Sequence, residues 1–216
     1  MSTRAPEYRT RLGAASAILG PALMSVGDLL HPAESWDTAV QVAILTSSAS
    51  RWYAAHLLLF IGMLLFVPGI LELSRLGAVR RPVAADAARI LLVISVGALS
   101  AVFVFEMLLG RFVSEGADHA AAVTLLATFQ SSWLFGVLAP GLLAFFVGIA
   151  LFVRSLAPLT PSLRWPAYAF AFGAILILGE IILSQVLLSQ IGNVLMLVGG
   201  IGFARLLLRG QHHVPA

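Results

Sequence analysis

The sequence predicts an all-α integral membrane protein, six transmembrane helices in a compact bundle with two short interfacial helices at its outer surface. Three observations predict it. Of 216 residues, 60% are hydrophobic and 11% charged, where an ordinary globular domain carries about 25% charge. Mean hydropathy is +0.98, more apolar surface than a soluble domain of this length hides from water. The arginines, finally, sort to one side of a six-span arrangement. Soluble enzymes, nucleic-acid binders and secreted disulfide scaffolds do not fit such a chain. The absence of cysteine removes disulfides, thiolate metal sites, iron–sulfur clusters and cysteine nucleophiles.

A bilayer-crossing helix needs roughly 20 mostly apolar residues. Six segments qualify, at about 12–31, 52–73, 89–111, 132–153, 167–189 and 193–209. The last two are separated by the polar stretch Ser189-Gln190-Ile191-Gly192-Asn193, which reads as a tight hairpin turn. All 13 basic residues are arginines. Eleven of them, from Arg4 through Arg75, Arg89 and Arg164 to Arg209, fall on one side of this arrangement. Arg51 and Arg111 fall on the other, beside Glu34, Asp37, Glu115 and Asp118. The positive-inside rule then places both termini in the cytoplasm, in a multi-pass protein of the plasma (inner) membrane. A five-span count breaks this asymmetry. The first span reads as a retained helix and not a signal peptide, because its apolar run is long and His31 sits three residues before a cleavage point after Ala33, where a small residue is needed.

The chain, read as one transmembrane domain over 1–216, aligns with itself at an offset of 81 residues. Glu34 falls on Glu115, Asp37 on Asp118, Ser50 on Ser131 and Trp52 on Trp133. A parallel two-span repeat follows, unit one at about 12–73 and unit two at about 89–153, with a closing helical hairpin at about 167–209. Each unit carries a short apolar helix, about 37–48 and 118–129, too short to cross. Ser35 or Asp37 caps the first and Asp118 the second, and each Trp marks an interfacial aromatic belt.

Charges inside spans are costly, about 2.5–3.5 kcal/mol at a helix centre on insertion scales. The polar residues here gather in the outer half. Asp28 and His31 end span one and share a face; Trp52, Tyr53 and His56 open span two; Glu106 lies one turn from the outer end of span three. Gln130 precedes span four, Glu180, Ser184 and Gln185 lie in span five, and Asn193 opens span six. The inner halves are apolar except for Glu72, which has Arg75 three residues on. Glu180 stands out, about nine residues or roughly 13 Å from the predicted outer end, with no Lys or Arg in any span interior to pair with it. An isolated buried carboxylate takes up a proton, bonds to polar neighbours, faces a wet cavity or binds a cation.

These residues suggest a small-ligand or metal pocket in the outer half of the bilayer. Glu180, Glu106 and His56 are the candidate catalytic groups. Asp28, His31, Trp52, Tyr53, Gln130, Ser184, Gln185 and Asn193 are the candidate ligand contacts. His31, His56, Glu106 and Glu180 have the donor atoms for a metal ion or for axial haem ligation, without motif-grade spacing. Two carboxyls and two imidazoles also suit acid–base chemistry on a lipophilic substrate, as in an intramembrane enzyme. Two alternatives stand beside this. One is a proton-coupled transporter, with helix breaks at Pro21, Pro68 and Pro140, though no polar residue continues toward the inner side. The other is a structural or accessory subunit, with Gly199-Gly200-Ile201-Gly202 as a contact face. The expected partners are membrane lipid, a small lipophilic or cationic ligand, a second copy or a membrane-complex subunit, and no nucleic acid.

Overall fold

The computed structural model describes residues 4–156, 161–183 and 185–210. They form eight helices: α1 (Arg4–Leu30), α2 (Thr38–Ser47), α3 (Ala49–Ala78), α4 (Pro82–Ser114), α5 (His119–Ser131), α6 (Trp133–Leu156), α7 (Pro161–Leu183) and α8 (Val186–Gly210). Six are long and apolar enough to cross a membrane, and α2 and α5 are the two short ones. The order long, short, long runs twice, through α1–α3 and α4–α6, as in the two aligned sequence units.

The spanning helices close a ring. α1 packs along α3 and α8, α3 along α4, α4 along α6, and α7 along α8, while α6 meets α7 over a shorter stretch. α2 and α5 touch each other and cover one end. α4 is the span least covered by protein. Its exposed Ile90, Val93 and Ile94 form the kind of surface that lipid solvates.

Small residues set the spacing, since helices in lipid gain most from close backbone approach. A Cβ on Gly20 of α1 would stand 2.7 Å from Phe66 Cβ and 2.9 Å from Gly62 O of α3. On the hairpin, Gly173 of α7 and Gly192 of α8 face each other: a Cβ on either would come within 2.6 Å of the other's carbonyl oxygen. Gly199 lies as close to Pro166 O. Both contacts are symmetric about position 182–183 in this antiparallel pair.

That register corrects one expectation. α7 ends at Leu183 and α8 begins at Val186, so Ser189–Asn193, expected as the turn, lies within α8. Glu180 is therefore three residues from the end of α7, not nine from the end of a longer helix. The three prolines expected as breaks lie inside continuous α1, α3 and α6. The Gly199-Gly200-Ile201-Gly202 run is an internal contact face, with Gly199 and Gly202 against α7 and Gly200 against α1.

The half away from α2 and α5 is filled by aromatic packing. Phe66, Phe152, Phe170 and Phe203 are all buried. The Phe66–Phe170 ring centroids are 5.3 Å apart, and those of Phe152–Phe203 5.8 Å. At that end Glu72 pairs with Arg75 at 2.9 Å, as its spacing predicts, and also accepts from Thr10 Oγ1 at 3.1 Å.

Candidate functional site

The polar residues of five spans converge beneath α2 and α5. α1 ends at Leu30, and its last carbonyls would be left without donors. Arg51 of α3 supplies them, its Nε donating to Leu30 O at 2.5 Å and its Nη2 to His31 O at 3.2 Å. This clamp holds the segment after α1 against the start of α3, so His31 meets Trp52 and His56. The three ring centroids lie 4.7–4.8 Å apart.

Both imidazoles are buried and pinned in the same way. His31 Nδ1 lies 2.8 Å from Pro32 O and His56 Nδ1 lies 2.9 Å from Trp52 O. A carbonyl only accepts, so each Nδ1 carries the hydrogen and each neutral ring presents a bare Nε2. The two Nε2 atoms face each other at 3.4 Å. Glu34 Oε1 is also 3.4 Å from His31 Nε2. Burial holds His31 below its usual imidazole range.

Carboxyl groups surround this pair. Glu34, on the segment between α1 and α2, and Glu180 of α7 face the same two cavities. Asp28 shares a cavity wall with Ser189 and Asn193 of α8, and its Oδ2 is buried with no partner. Glu106 Oε2 is likewise buried and without a partner. Trp52 Nε1 donates to Glu106 O at 3.3 Å.

Two adjoining cavities open on these groups. One of about 260 Å³ has Glu34, His56, Glu106, Gln130 and Glu180 on its walls. The other, about 180 Å³, has Asp28, His31, Ser189 and Asn193 on its walls. Glu34, His56 and Glu180 border both; Ser35 and Gln41 also line the larger, and most of the remaining walls are apolar, with Phe103 and Leu142 shared.

Of the residues expected from sequence, Asp28, His31, Trp52, His56, Glu106, Gln130, Glu180 and Asn193 come together here. Tyr53 does not: it is 43% exposed and faces a separate groove with Val104 and Arg111. Gln185 is exposed at the fold-back. Ser184 lies outside the described residues. Among the described residues, no three His, Asp or Glu side chains already enclose a metal position, so the four-residue ligand set read from sequence is not assembled as such.

Trp52 is 1% exposed and packs on the His pair, while its counterpart Trp133 is 80% exposed. The belt reading therefore suits only the second. Asp37 caps α2, accepting from Ala39 N and Val40 N at 2.9 and 3.0 Å, whereas Asp118 makes no such bond to α5. Sequence reasoning passed over Glu34 and Ser189 as site residues. Ser189 lies four residues before Asn193, one helical turn apart, and that spacing was the available signal. No protein-family model, no curated protein and no solved structure matches this chain. The fold and site define it as a polytopic, six-span membrane protein with a polar cluster buried at one end.

Proposed function

We propose that this protein binds a small amphiphile in the outer half of the bilayer, with a hydrogen-bond-donating, cationic head among Asp28, Glu34, Glu106 and Glu180. The observation that carries the reading is the pair of buried carboxyl oxygens without partners, Asp28 Oδ2 and Glu106 Oε2, beside apolar-walled cavities. An unmet buried acceptor costs about 1–3 kcal/mol, more when charged. A protonated amine supplies up to three donors and the opposite charge. The tail then lies along Phe103, Leu142 and their neighbours. The short α6–α7 seam, which Leu142 and Ile181 border, offers a lateral way in from lipid.

The same groups could act on a bound molecule, the bare imidazole nitrogens as bases and the Glu34–Glu180 pair as a proton source. Binding takes precedence over passage because the aromatic layer of Phe66, Phe152, Phe170 and Phe203 closes the other half of the bundle.

The test uses protein in lipid nanodiscs, titrated with dodecylamine, dodecanol or dodecanoate and followed by thermal unfolding. The amine is expected to raise the transition temperature of the parent. It should raise that of a D28N/E106Q variant far less. Equal shifts with amine and alcohol, or an undiminished shift in the variant, would overturn the reading.

A further inference from the structure

His31 and His56 make an arrangement that neutral imidazoles do not satisfy by themselves. Each ring spends its one hydrogen on a backbone carbonyl, at 2.8 and 2.9 Å. The two remaining lone pairs are then opposed across 3.4 Å. The ring centroids are 4.7 Å apart with the planes inclined by 62°, so the two rings meet edge to face with their Nε2 atoms adjacent. Glu34 Oε1, a third acceptor, lies 3.4 Å from His31 Nε2. Three acceptors around one gap call for a positive centre, and burial works against placing that charge on an imidazole.

We propose that the gap binds one divalent transition-metal ion of the zinc class, with His31 Nε2 and His56 Nε2 as ligands and Glu34 as the third. Two nitrogens, each roughly 2.0–2.1 Å from a tetrahedral ion, stand roughly 3.3–3.4 Å apart. That is the separation found. A metal-bound histidine normally gives its other N–H to a carbonyl or carboxylate, which fixes its tautomer. Both rings here do so. Glu34 completes the set by a side-chain movement, which its place on the segment before α2 and its 42% exposed side chain permit. The fourth position opens toward the cavities, where water coordinates. Trp52 packs on both rings and holds them in place. The site differs from the sequence reading in its carboxylate, Glu34 in place of Glu106 and Glu180. It shares Glu34 with the amphiphile's head site, while His31 and His56 belong to the metal alone.

The experiment uses untagged full-length protein in detergent, treated with chelator and then titrated with Co²⁺, with Zn²⁺ as competitor. One equivalent of Co²⁺ with tetrahedral d–d absorption is expected, displaced by Zn²⁺. H31Q and H56Q should each weaken binding at least tenfold, and E34Q less. E106Q and H212A/H213A should bind as the parent does, which separates this site from the amine pocket and from the C-terminal histidines. Because H56Q could perturb packing, H56C supplies a second reading: Co²⁺ bound there should show a thiolate charge-transfer band. Failure of the parent to take up stoichiometric Co²⁺, unchanged binding in both H31Q and H56Q, or no such band in a folded H56C protein would overturn the proposal.

Discussion

Gly200→Ala tests the closure of the helix ring most directly. Gly200 sits where α8 meets α1, and a Cβ there would lie 2.0 Å from Ala17 O, 3.2 Å from Ala17 C and 3.6 Å from Pro21 Cγ. Carbon and a carbonyl oxygen need more than about 3 Å, so the helices must part by roughly 1 Å or more, losing dispersion contacts along the seam. The obstacle is backbone, not the end of a flexible side chain, and cannot rotate away. Overpacking of this kind costs about 1–3 kcal/mol, and the upper part of that range fits an overlap this deep. Alanine's better helix propensity returns at most about 1 kcal/mol. The net loss is about 1–2 kcal/mol, or roughly 2–8 °C in transition temperature for a chain of this size. Gly97→Ala is the control, since no atom lies within 4 Å of its added Cβ. Both variants are melted in one detergent and followed by circular dichroism. A Gly200→Ala protein that melts with or above Gly97→Ala would refute the close α1–α8 contact.

Other outcomes follow from the same geometry. Asp37→Ala removes the α2 cap and is expected to cost about 1 kcal/mol, while Asp118→Ala, with no capping bond to lose, should leave the melting curve near the parent's. Equal effects would show that the two short helices are capped alike. Arg51→Ala strips Leu30 O and His31 O of their donor and should destabilise by about 1–2 kcal/mol. Arg51→Lys should recover part of that in chemical unfolding, and no difference between the two would count against the clamp. Glu180→Gln removes one carboxyl from the cavity walls with little change of shape. It is expected to fold normally but to lose dodecylamine binding, and retained binding would remove Glu180 from the pocket. Phe170→Ala, in the aromatic layer, should cost about 3–5 kcal/mol, and a near-parental melting temperature would contradict the packing described.

Much of this architecture was legible in the sequence because it depends on composition and local order. Span length follows from bilayer thickness, and six apolar runs separated by charged segments have few other solutions. The short helices at Thr38–Ser47 and His119–Ser131 lie close to the segments expected for them, the first started by the Asp37 cap and the second beginning after Asp118 without a side-chain cap. The gathering of Asp28, His31, His56, Glu106 and Glu180 at one end followed from depth alone, because each helix advances a fixed distance per residue.

What required the tertiary structure was everything that depends on rotation and register between helices. The α7–α8 turn was misplaced because its local cue, a polar run at Ser189–Asn193, was outweighed by a distant one, the fit of Gly173 against Gly192. That fit turns Ser189 and Asn193 inward to Asp28 and moves Glu180 to the helix end. Trp52 and Trp133 occupy equivalent sequence positions, yet only Trp52 is covered, because His31 reaches it from the segment that Arg51 clamps. Glu34 was read only as an acid of the outer segment, and the path of the chain between α1 and α2 brings it to His31 and to the cavities that Glu180 lines. Hydropathy and spacing thus determine which residues share a depth in the bilayer. Which of them touch is decided by side-chain shape at the helix seams, where a missing Cβ or a bound carbonyl fixes the last few ångströms.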